Sequence, residues 1–219
     1  MYWVVGQRKR AINGRPPRRQ DDSCYRRPEE HRAALTADAA RRRERLEGLA
    51  RSAPHWLMTA TELRTSADLV GDRFAEAVGN LLKGREPGQY LHVGASFPML
   101  AGFAIEALLK GILIARDQST VSDGRFPNWL LNHNLAGLMK RANVPLTEDE
   151  TDLVQRLAEA VQWRGRYPVP RRADELPDSH SVGLSDVNNF RALYDRLERE
   201  VSRIMGYVGG ALGDAGSGC

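Results

Sequence analysis

Cysteine is nearly absent: 219 residues hold two, Cys24 and Cys219, one near each end. Neither lies in a metal-ligand spacing, and two cysteines make no disulfide framework, so a zinc module and a stapled secreted domain are both excluded. No second His or Cys stands at ligand spacing from His133, so no metal site is expected. No stretch reaches 18 uncharged apolar residues. The nearest, Phe97 to Ala115, carries Glu106 and Lys110 in its middle, and no membrane span is expected. The opening MYWVVGQRKR lacks the basic, apolar, small-residue order of a secretory signal. A cytoplasmic, reducing setting is therefore the expectation. No segment sustains a period-two alternation, which excludes a β-rich fold, and no internal repeat is visible.

Basic charge is also missing from most of the chain. The formal charge of +4 is divided unevenly. Residues 1–55 hold 14 Lys and Arg against 7 Asp and Glu, while residues 56–219 hold 18 against 21. The basic excess thus belongs to the first quarter, and the body is mildly acidic. Residues 1–30, with RKR, RPPRRQDD and YRRPEE, read as disordered. Residues 31–52 read as an exposed helix rich in Ala, Arg, Leu and Glu, stopped by Pro54. Its role is either a phosphate-binding arm or a solvated tail. Met58 opens a new composition, and residues 1–57 are also readable as sequence upstream of the natural start. The expected organisation is a basic extension over 1–57, a helical body over 58–208 and a flexible tail over 209–219.

What is present is helical periodicity. Thr61 to Lys83 spaces Leu63, Ala67, Val70, Phe74, Val78 and Leu81 by threes and fours, one face of a helix. Phe97 to Arg116 is apolar nearly all round, as a central helix is. Residues 117–132 read as a polar connector, and a short helix follows over His133 to Ala142. Thr147, three residues before Glu150, is a capping-box start for a helix ending near Arg164. Residues 165–184 read as a loop, and Ser185 as the cap of a last amphipathic helix. The expected fold is all-α: an up-and-down bundle of four to five helices with an N-terminal extension.

Six residues stand out as chemistry. Glu106 and Lys110 lie one turn apart in the apolar helix, as a mutually neutralising pair or as a ligand-facing pair with Glu106 as acid or base. His133 precedes the short helix, either packed at its start or placed for proton transfer. Arg164, Arg166 and Tyr167 end a helix, where guanidiniums and a ring suit phosphate and base. The same cations also suit a helix C-terminus. Arg171 and Arg172 add charge in the following loop. Trp129 and Trp163 read as core anchors.

The order of three segments carries a resemblance. Ala104-Ile105-Glu106 with Lys110, His133-Asn134-Leu135, and Arg164-Gly165-Arg166-Tyr167-Pro168 lie on successive helices. Over roughly residues 60–208 the chain resembles HEPN proteins, small helical bundles named for higher eukaryotes and prokaryotes nucleotide-binding. The resemblance implies a bundle, a homodimer, no cofactor, and one of two activities. Some members are metal-independent ribonucleases of toxin–antitoxin, defence and RNA-processing systems. Others bind RNA or nucleotides, or partner nucleotidyltransferases. The ribonuclease members carry an Arg, four to six residues, then His. Arg26 and His31 have that spacing, but in the N-terminal arm with Pro28 between them; Arg125 and Arg172 stand eight positions before His133 and His180. The bundle is expected to lack the motif. Three functions follow as expectations: an RNA- or nucleotide-binding module using Arg164, Arg166, Tyr167, Lys110 and His133; a divergent ribonuclease using His133 and Glu106; and a dimeric interaction module without a ligand.

Overall fold

Seven helices occur among the described residues, the longer ones of the body following the apolar spacing, and no strand occurs there. The computed structural model describes residues 28–117, 121, 124–164 and 183–206. The chain divides into two units, Met1–Arg41 and Arg42–Cys219. Helix α1 covers Pro28–Ala50, so residues 28–30 are helical rather than disordered; the expectation for residues 1–27 lies outside the described residues. Within the larger unit, the Glu47 carboxylate takes Arg43, Arg51 and the Gly124 N–H, and Arg51 Nε donates to the Val121 carbonyl at 2.6 Å. Ala50 and Ala53 are buried with Ile114, Val121 and Leu130.

Helix α1 ends at Ala50, ahead of Pro54, but Pro54 also opens the next helix. It lies in the first turn of α2 (Ala53–Leu82), where a missing N–H leaves no bond unmade, and the Ser52 hydroxyl caps the turn by accepting from the His55 N–H. Helix α2 therefore starts eight residues before Thr61, and positions 57 and 58 lie inside one continuous helix. A 3₁₀ turn over Gln89–Ala95 leads into α3 (Ser96–Arg116).

Helix α3 is buried on nearly every side, and α2, α5, α6 and α7 all pack on it. Its direction relative to each neighbour follows from paired residues. Gly71 of α2 lies against Phe97, while Trp56 lies against Gly111, so α2 and α3 run antiparallel. Phe97 and Phe190 meet edge to face at 5.8 Å, and Val201 lies near Gly111, so α7 (Leu184–Ile204) runs parallel to α3. Each fully buried side chain such as Ile105, Leu108, Leu109 or Phe190 contributes about 1.5–3 kcal/mol. That exceeds the ~0–1 kcal/mol of an exposed ion pair, so burial on α3 dominates stability. By hydropathy and length, Gln89–Arg116 is apolar enough to cross a membrane; 83% of its most apolar 18 residues are buried inside the body.

The connector after α3 contains one helical turn, α4 (Asn128–Leu131), and then α5 (Leu135–Arg141). The capping box expected at Thr147 is present: Thr147 Oγ1 accepts from the Glu150 N–H, and Glu150 Oε2 accepts from the Thr147 N–H at 2.9 Å. Burial would raise the Glu150 pKa, but the Thr147 N–H and the Arg196 guanidinium outweigh it and hold the carboxyl below its ordinary value. Helix α6 (Glu148–Glu159) continues as a π turn over Ala160–Arg164 rather than as regular α-helix. There Val161 meets α3 at Gly102, where a Cβ would come within 2.5 Å of Val161 Cγ2 and 3.0 Å of the Leu157 carbonyl. Ser185 is not the cap of α7. Gly183 holds that position, and its N–H donates to Asp186 Oδ2 at 2.9 Å. The other oxygen of the buried Asp186 accepts from Arg156 at 2.6 Å, so the carboxylate is paired on both sides. The expected tail over 209–219 lies outside the described residues.

Candidate functional site

Helix α3 presents Phe103, Glu106 and Lys110 at intervals of three and four, which places them along one face. Glu106 and Lys110 are 6% and 4% exposed, deep for two charged residues. Lys110 Nζ donates to Glu106 Oε1 at 2.6 Å. Removing Glu106 alone would strand the buried ammonium, which is far costlier than the pair itself.

His133 completes the arrangement from a different element. The loop between α4 and α5 is fixed by local bonds: Asn132 Oδ1 accepts from the Asn134 N–H at 3.2 Å, and Asn134 Oδ1 caps α5 by accepting from the Gly137 N–H at 2.9 Å. Between these two asparagines, His133 turns its ring toward α3. Its Nδ1 lies 2.9 Å from Glu106 Oε2 and 3.1 Å from Oε1. The Phe103 ring meets the imidazole nearly edge-on, with centroids 5.7 Å apart, and restricts its tilt. The side chain is 45% exposed, and Nε2 has no hydrogen-bond partner among the described residues.

The result is an ordered chain, Lys110–Glu106–His133, running from the buried face of α3 to the surface. With its proton on Nδ1, the ring donates to the carboxylate and leaves Nε2 as an acceptor. Nε2 is then the ring nitrogen left for proton exchange. Lys110 holds the second carboxylate oxygen, so Glu106 cannot swing away without breaking a buried pair.

The structure brings three of the six sequence candidates together: Glu106, Lys110 and His133. Arg164 is exposed at the end of the π turn, with Glu159 at 4.0 Å. Arg166 and Tyr167, with Arg171 and Arg172, lie outside the described residues. Trp163 is buried at that turn; Trp129 is half-buried with the Arg141 guanidinium 5.3 Å above its ring. Among the described residues, no three His, Cys, Asp or Glu side chains gather as metal ligands would.

The expected absence of an Arg–His spacing needs a correction. Arg85 and His92 are separated by six residues, within the four-to-six interval. Arg85 lies in the exposed turn after α2 and His92 in the 3₁₀ turn, also exposed.

Two participants were missed by sequence reading. Phe103 was legible in principle, since it lies three residues before Glu106 on the same face. Trp56, whose ring lies 5.9 Å from Lys110 Nζ, carries no such signal. No family model, curated protein or solved structure matches the chain.

Proposed function

We propose that the body is a HEPN-like helical module acting on RNA, with His133 as the proton-transfer group of a metal-independent ribonuclease. The observation that carries this reading is the 2.9 Å contact between His133 Nδ1 and Glu106 Oε2, backed by Lys110. A purely packed histidine has no need of a buried carboxylate on one nitrogen while its side chain stays 45% exposed. In this reading Nε2 takes the proton of a ribose 2′-hydroxyl as its oxygen bonds to phosphorus and the bond to the 5′-oxygen breaks; the imidazolium, held by Glu106, returns the proton to the leaving 5′-oxygen. Arg164, with Arg166 and Tyr167 beyond it, supplies phosphate and base contacts. The antiparallel run of α2, α3 and the parallel α7 supports the bundle that the resemblance implies, and a cytoplasmic homodimer is part of the same proposal.

The test is degradation of an RNA pool by the purified full chain in EDTA. Cleavage is expected, lost in His133→Ala and strongly reduced in Glu106→Gln. Cleavage that survives His133→Ala but disappears in His92→Ala would assign the reaction to the Arg85–His92 spacing instead. No cleavage, together with salt-dependent RNA binding that falls in Arg164→Ala, would leave the binding-module reading in its place.

A further inference from the structure

We propose that Trp56 is a positioning residue of this site: its indole shields the Lys110–Glu106 pair from water and so keeps Glu106 set for His133. The shielding stands on geometry alone; its effect on turnover rests on the ribonuclease reading.

An ammonium has three donors, and Lys110 gives one to Glu106. The Trp56 ring covers it at 5.9 Å, near the limit of about 6 Å for a cation over an aromatic face. Trp56 is itself held. Its Nε1 donates to the Ala50 carbonyl at 2.9 Å, one of the carbonyls that the end of α1 leaves without an intrahelical partner. It also packs against both apolar clusters of the body. Gly111, the neighbour of Lys110, eases the close approach: a Cβ there would lie 3.3 Å from Trp56 Cβ, a tight contact.

Lysine has a long flexible stem and extends its charge to solvent where a path opens. With Trp56 in place, Lys110 is 4% exposed and stays on Glu106. Without the indole, water reaches the ammonium, the pull on Oε1 weakens, and Glu106 gains freedom to leave Nδ1. Trp56 acts on His133 only through these two residues, so it positions the site and takes no part in proton transfer. The joint between α1 and α2 therefore belongs to the site.

The chain is suited to a direct test, since it has four lysines: Lys9, Lys83, Lys110 and Lys140. Native full-length protein is acylated with acetic anhydride, and labelling of each lysine is followed by peptide mass spectrometry. Lys83 and Lys140 are exposed and serve as references. Lys110 is expected to label slowly in the wild type, severalfold faster in Trp56→Ala, and slowly again in Trp56→Phe, which restores the ring. RNA cleavage is expected to fall about tenfold or more in Trp56→Ala, through kcat rather than KM, and to recover in Trp56→Phe. If Trp56→Ala does not fold, Trp56→Leu carries the same comparison. Unchanged Lys110 labelling in the folded variant overturns the proposal. So does an equal rise in Leu153→Ala, matched for loss of Tm, since the effect would then be general loosening. Faster labelling with no cleavage by any form, wild type included, sinks the ribonuclease reading and leaves the shielding intact.

Discussion

Replacing Glu106 by Leu while keeping Lys110 is expected to be among the most damaging single changes in this protein. The ammonium is 4% exposed, and among the described residues Glu106 is its one carboxylate, at 2.6 Å. Breaking a buried pair from one side typically costs about 3–5 kcal/mol, because the remaining charge is stranded. For a chain of this size each kcal/mol moves Tm by about 2–4 °C, so Glu106→Leu is expected to lower it by roughly 6–20 °C. Lys110→Met is expected to cost less, about 1.5–3 kcal/mol, since Glu106 keeps the His133 ring on its other oxygen. The double variant Glu106→Leu/Lys110→Met removes both charges and puts two apolar chains into an apolar helix face. It is expected near or above wild-type stability. The assay is urea unfolding of the four full-length proteins with unchanged slope, read as a double-mutant cycle. Costs that simply add in the double variant would refute the reasoning. They would mean that the two charges do not depend on each other and that the site has no buried ion pair at its base.

Gly102→Ala is expected to destabilise by about 1–3 kcal/mol, despite the ~1 kcal/mol that alanine gains in helix propensity, because the new Cβ meets the Leu157 backbone as well as Val161. A raised urea midpoint would contradict this packing. Burial, with the Thr61 hydroxyl opposing it, pushes the Tyr194 phenol up to about 12. Its stabilising contribution is therefore complete below its unfolded value near 10 and is lost as pH rises toward 12, roughly 2–3 kcal/mol in all. Unfolding measured from pH 9 to 12 is expected to show a loss that Tyr194→Phe lacks; equal slopes in both proteins would count against it.

Much of the architecture was legible in the residue order. The all-round apolar character of α3, the capping box at Thr147 and the three–four spacing of α7 each identify an element from local physics. Boundaries failed where a residue type has two local meanings. Pro54 both ends helices and opens them, and only the Ser52 cap decides between these. Ser185 is a common cap residue, yet the buried Asp186 carboxylate takes the Gly183 N–H and moves the cap two residues upstream. The π turn at Ala160–Arg164 has no sequence signature, because it forms where Val161 meets Gly102 of another helix.

By itself, the sequence determined the helical class, the central place of α3 and the pairing of Glu106 with Lys110, since all three follow from spacing along one helix. Tertiary structure alone decided that His133, on a separate loop, closes on Glu106, and that Trp56, 54 positions before Lys110, covers it. The physical reason is the same in both cases. Spacing fixes which side chains share a face, whereas what that face meets depends on how helices pack, as where Gly102 lies against Val161 and Gly111 against Trp56. The site is built from one buried carboxylate and the two nitrogen groups that flank it, Lys110 and His133.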